Sequence, residues 1–267
     1  MNNKSGQPVS YQDTRFGQLF LLVILLGFLG GQILHESGHW AILQLFGRNP
    51  VMSFTGLVGR DEQPANPEGW VEFTAPDGEQ VWLYLTSLPS SAVEWIVMSA
   101  AGPLAQLAVM IIGLLFAHFS RGGLLRGIGL LLALINSLGP MLYQIKSTFV
   151  GAGGDEYLIA YYLGLPEYAI TVPLALASAA GLVVGLWELD GWRRRLKWLA
   201  VLLIGYLPQG PLLMLANNIT QTQVAMGNRF FQPVLGFSLP VVIVSGFALF
   251  VLFVVLVRWE MSLSSTR

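Results

Sequence analysis

The stretch FGQLFLLVILLGFLGGQILHESGHWAILQLF, residues 16–46, decides how this chain folds. As far as Leu34 it holds no charged residue, and a run of that length and apolarity matches the roughly 20 residues a helix needs to cross a bilayer core. Near its end, however, come His35, Glu36 and His39. An ionisable side chain inside a span costs on the order of 3 kcal/mol, so three of them together require a compensating partner.

The rest of the sequence agrees with the first run. Of 267 residues, 54% are hydrophobic and 11% charged, with a mean hydropathy of +0.62. The charged fraction is less than half that of an average soluble domain, about 25%. Hydropathy marks six spans, at 16–46, 93–119, 124–145, 169–187, 198–217 and 239–259. The expected fold is an all-α polytopic membrane protein of about six transmembrane helices. Residues 1–165 form a core of three spans, and 166–267 add three helices to the same membrane unit. The polar start, Met1 to Arg15, runs into the first span without a small-residue cleavage site, so the span is read as uncleaved. A net charge of −1 provides no field for nucleic acid.

Six crossings put Lys4, Arg15, Arg121, Arg126, Arg193, Arg194, Arg195, Lys197, Arg258 and Arg267 on one side. The other side has Arg48, Arg60, Lys146 and Arg229. The positive-inside rule then makes both termini cytoplasmic. Trp95, Trp187, Trp198 and Trp259 fall at span ends, where indoles favour the headgroup zone, and are expected as anchors. The long polar segment contains two β-prone runs, Trp70-Val71-Glu72-Phe73-Thr74 and Val81-Trp82-Leu83-Tyr84-Leu85. Ala75-Pro76-Asp77-Gly78-Glu79 between them has turn chemistry, which predicts a β-hairpin at 69–86 between the first two spans. With 30 glycines in the chain, the small-xxx-small pairs (Gly27 with Gly31, Gly123 with Gly127, Gly181 with Gly185) are read as packing alone.

The chemistry lies in His35-Glu36-Ser37-Gly38-His39. Histidines four apart leave one helix face a turn apart and can chelate one zinc ion. Glu36 beside them is placed to take a proton from an attacking water and return it to a leaving amine. Zinc binding, worth on the order of 10 kcal/mol in small peptides, would offset the cost of burying these groups. The chain has no cysteine, so a third protein ligand has to be His, Asp or Glu. His118 sits at the far end of the second span and reads as interfacial. Topology puts Asp155 on the same side as His35, and Gly153 and Gly154 before it allow the backbone to bend inward. Asp190 falls across the membrane, in the arginine-rich loop.

These features resemble the site-2 protease family of zinc intramembrane proteases. The likeness covers about residues 18–163: the His-Glu-Ser-Gly-His pentad in a first span, Ala101-Gly102-Pro103-Leu104-Ala105-Gln106 in the next, and Asp155 after Asn136-Ser137-Leu138-Gly139-Pro140. It implies that His35, His39 and Asp155 bind Zn2+ and that Glu36 is the catalytic base. By analogy the hairpin at 70–85 would add a strand to an unwound substrate segment. Gln106 and Asn136 would steady the substrate backbone or the oxyanion, or else bond between helices. Gln106 replaces the family's Asn. Its Asp-Gly ligand motif reads Gly154-Asp155-Glu156 here, while Leu189-Asp190-Gly191 keeps the Asp-Gly wording, so Asp190 stays the alternative ligand. The family holds zinc nearer the cytosol, whereas the basic-residue count puts that end outside, and sidedness is left open.

The function implied is zinc-dependent endopeptidase action on a transmembrane protein substrate, in the bilayer of a prokaryotic cell membrane. Two other readings are a non-proteolytic membrane protein with a structural or regulatory zinc site, and an adaptor built on spans four to six. Substrate identity, trigger and oligomeric state are not legible.

Overall fold

The computed structural model describes residues 11–75, 78–121, 123–150 and 154–264. Its architecture is mostly α-helical, and among the described residues six helical stretches are long and apolar enough to cross a membrane: Phe16–Leu45, Ala92–Phe119, Gly123–Phe149, Tyr168–Trp187, Trp192–Ala225 and Leu239–Met261. The chain is thus an integral multi-pass membrane protein by its helices.

The first span is not uniform. Helix α1 (Phe16–Leu26) passes through a π-helical segment, Gly27–Ile33, into α2 (Leu34–Leu45). Gly27, Gly30 and Gly31 weaken the regular ladder here, and such π segments concentrate at functional sites. This one ends two residues before His35.

Helix α3 (Ala92–Phe119) starts at Ser91 as its N-cap. The Ser91 hydroxyl accepts from Glu94 N, and the Glu94 carboxylate accepts from Ser90 N at 2.9 Å and pairs with Arg48 at 2.5 Å. Helix α4 (Gly123–Val150) is the central element. Its most apolar window is 61% buried, against 17–39% for the other spans. Leu130, Leu131, Leu134 and Leu138 on α4 join Leu19, Leu22, Trp198 and Leu202 in one core. Gly154 at φ +96° leads into the short α5 (Asp155–Leu163), which ends at Gly164 in the left-handed conformation. Gly153 lies outside the described residues.

Helix α6 (Tyr168–Trp187) packs on α4. The fifth span is two helices end to end, α7 (Trp192–Tyr206) and α8 (Gln209–Ala225). They break at Leu207 and Pro208, where proline has no N–H to continue the ladder. Helix α9 (Leu239–Ser264) completes the bundle. Exposed Phe247, Phe250 and Phe253 on α9, like Ile111 and Leu115 on α3, present apolar surface to lipid.

Among the described residues, seven short strands cap one end. They are β1 (Met52–Ser53), β2 (Gly56–Leu57), β3 (Gly59–Arg60), β4 (Trp70–Thr74), β5 (Gln80–Tyr84), β6 (Pro233–Val234) and β7 (Phe237–Ser238). The expected hairpin is β4 with β5, paired from Trp70↔Tyr84 to Thr74↔Gln80, although its turn residues Pro76 and Asp77 lie outside the described set. β3 widens it to three strands. A second sheet, in the order β2-β1-β7-β6, joins the first loop to the last.

The anchor reading of the tryptophans needs correction. Trp187 is 72% exposed, but Trp198 and Trp259 are fully buried. Trp198 meets Tyr11 edge-on, and Trp95 stacks on Phe73 and Tyr162. Rings of that size are spent on helix and loop packing rather than on the interface.

Candidate metal centre

Two helices bring the centre together. On α2, His35 and His39 share a face, and α5 delivers Asp155 to it from 120 residues away. Asp155 Oδ2 lies 3.1 Å from His35 Nε2 and 3.2 Å from His39 Nε2, and the two Nε2 atoms are 3.0 Å apart. Among the described residues these three form the one group of His, Asp or Glu able to hold a metal.

The tautomers follow from the outer partners. His39 Nδ1 is 2.7 Å from the Met98 carbonyl, an acceptor, so Nδ1 carries the proton. His35 Nδ1 likewise donates to Gln106 Oε1 at 3.2 Å. Both Nε2 lone pairs therefore turn inward, against each other and against a carboxylate. Three acceptors at this spacing repel unless a positive charge sits among them. Tetrahedral zinc with bonds of about 2.0–2.1 Å sets its ligand atoms about 3.3 Å apart, close to what is observed. A third observation is the cradle at Gly102 on α3. A Cβ there would stand against His39 Nε2 and 2.6 Å from His35 Nε2, in the space where the lone pairs converge. Gly38 makes this approach possible, because a Cβ on it would meet the Ala101 carbonyl at 2.6 Å. The residues present fit a divalent metal.

Glu36 is 4% exposed. Its Oε1 accepts from Gln32 Nε2 at 2.6 Å, while Oε2 is buried with no partner. Gln32 and Met98 escape a reading of the sequence, and Gly102 is visible there only as part of the Ala101–Gln106 motif, without its role as a cradle. Gln32 could have been found as the residue one turn before Glu36, but a backbone carbonyl such as Met98 leaves no signal.

Comparison of the chain with protein-family models, curated proteins and solved structures finds no match.

His35, Glu36, His39 and Asp155 line one cavity of about 550 Å³, together with Gln106, Asn136 and residues of α2 to α8. Asn136 Nδ2 donates to Leu132 O at 2.9 Å, which leaves its buried Oδ1 without a donor. Gln106 is engaged on both sides, by His35 and by the Gly31 carbonyl at 3.4 Å. Asp190, the alternative ligand, does not reach the centre. It is 82% exposed near Arg194, and its backbone N–H donates to Gln12. His118 pairs with Glu188 at 3.0 Å, away from the triad. The hairpin β4–β5 does not line the cavity. The strand residues that line it are instead Met52 of β1 and Gly56 and Leu57 of β2, an edge strand, with Thr55 between them.

Proposed function

We propose that this protein is a zinc-dependent intramembrane endopeptidase that cuts a peptide bond in or near a transmembrane segment of another membrane protein. The observation that carries this reading is the convergence of His35, His39 and Asp155 on one point, with the free oxygen of Glu36 in the same buried cavity. The resemblance to site-2 proteases points the same way.

His35, His39 and Asp155 would hold the zinc, which when bound polarises a carbonyl and makes water acidic enough to attack near neutral pH. Gln32 fixes one oxygen of Glu36 and leaves the other to accept the water's proton and pass it to the departing amine. Gln106 and the Met98 carbonyl keep both imidazoles turned inward. Asn136 Oδ1 is free to accept a substrate N–H. A peptide carbonyl within a helix is already bonded, so the substrate has to unwind, and the free edge of β2 offers main-chain partners for the extended segment.

Glu36→Gln separates this function from a metal site kept for structure. In a peptidase the variant retains zinc and fold but loses about 10²–10⁴ in rate. A Glu36→Gln protein with full activity would overturn the reading.

A further inference from the structure

Where α5 begins, its first turn meets the end of α4 through one side-chain pair, Gln144 and Glu156. The two are 3% and 2% exposed, and both line the cavity of the metal centre. Gln144 Nε2 donates to Glu156 Oε1, which fixes the orientation of the carboxamide. Gln144 Oε1 and Glu156 Oε2 are then left buried with no donor. Buried acceptors are almost always satisfied, so two unsatisfied ones on a single hydrogen-bonded pair call for a donor from outside it. Among the described residues no lysine or arginine lines this cavity.

We infer that Gln144 and Glu156 form a specificity subsite for a basic side chain of the substrate, an arginine or lysine flanking the segment that is cut. This rests on the peptidase reading above. Guanidinium and ammonium groups only donate, matching the two open acceptors Gln144 Oε1 and Glu156 Oε2, with Glu156 the acidic member of the pair. The pair sits at the strand-capped end of the spans, the depth at which basic residues flank transmembrane segments. Glu156 follows Asp155 directly, and an extended chain advances about 3.3 Å per residue, so the basic residue falls within about three residues of the cleaved bond.

The test uses the full chain in nanodiscs, zinc-loaded and carrying Glu36→Gln so that bound peptide is not consumed. The probe is a fluorescent leucine-alanine transmembrane peptide with one arginine near its boundary, compared with the same peptide carrying neutral citrulline. The arginine peptide should bind about tenfold or more tightly, as expected for a charge-assisted hydrogen bond. Adding Glu156→Gln should abolish that preference while zinc stays at about one per chain. Gln144→Leu, which keeps the volume, should weaken it too. Equal binding of both peptides, binding of neither, or a preference that survives Glu156→Gln would overturn the subsite. So would a second zinc lost with Glu156→Gln, which would make the pair a metal site. Cleavage by the chain with native Glu36 is scored separately. Preferential binding without cleavage sinks the peptidase reading and leaves the subsite, whereas cleavage without preference does the reverse.

Discussion

Replacing Gly102 with alanine adds a single methyl group at the point where the metal centre has no room for one. The new Cβ would stand against His39 Nε2 and 2.6 Å from Cε1 and Nε2 of His35. Unstrained contacts between such atoms lie at about 3.5–4.0 Å, so the overlap is about 1 Å. The helices cannot tighten elsewhere to relieve it, because α2 and α3 already touch through Gly38 and the Ala101 carbonyl. Either the imidazoles turn away or α3 is pushed off α2. Overpacking of this kind costs about 1–3 kcal/mol of stability. It also spreads donors now 3.0–3.2 Å apart. Loss of an outer-sphere partner typically weakens metal binding by about 10–100-fold, and displacing the ligands themselves should reach the upper end of that range or exceed it. The assay is chelator competition for zinc on detergent-purified protein, with circular dichroism to confirm that the helices persist. Gly17→Ala is the control, since a Cβ there meets nothing within 4 Å. Zinc affinity in Gly102→Ala equal to that of the parent protein would refute the cradle.

Two further outcomes follow from named contacts. Gln106→Leu removes the acceptor of His35 Nδ1 while keeping the volume, and should weaken zinc binding by about 10–100-fold in the same competition assay. At the opposite end of the bundle, burial raises the Glu188 carboxyl, but hydrogen bonds and charge from His118 and Arg126 prevail and hold it below its ordinary value. A carboxyl depressed on folding stabilises the protein fully above its unfolded pKa, and this stabilisation is lost as pH falls through the folded value. Thermal melts of the parent protein should therefore lose stability more steeply than those of Glu188→Gln as pH drops below the usual carboxylate range. Parallel curves would show that the cluster contributes nothing.

The six spans were legible because each is a long apolar run, and hydropathy needs no tertiary information. The hairpin was legible from alternating β-prone residues and turn chemistry. The meeting of His35, His39 and Asp155 followed from helical spacing plus a count of membrane crossings. The break between α7 and α8 had a readable signal in Pro208, masked by the apolar residues on either side. The π segment at Gly27–Ile33 had only glycines to announce it, and it packs against α4 and α9, which the sequence does not bring together. β1 and β7, which join the first loop to the last, are two residues each, too short for any period to show. Burial of Trp198 and Trp259 was hidden for a related reason. An indole at a span end suits a headgroup or a helix neighbour equally well, and only the assembled bundle decides.

The most direct measurement is the zinc content of detergent-purified protein, with the parent chain beside His39→Ala, Asp155→Ala and Asp190→Ala. The geometry predicts about one zinc per chain in the parent and in Asp190→Ala, and loss of the metal in the other two. A parent protein that takes up no zinc after reconstitution, or one that keeps it without His39 and Asp155, would contradict the metal centre.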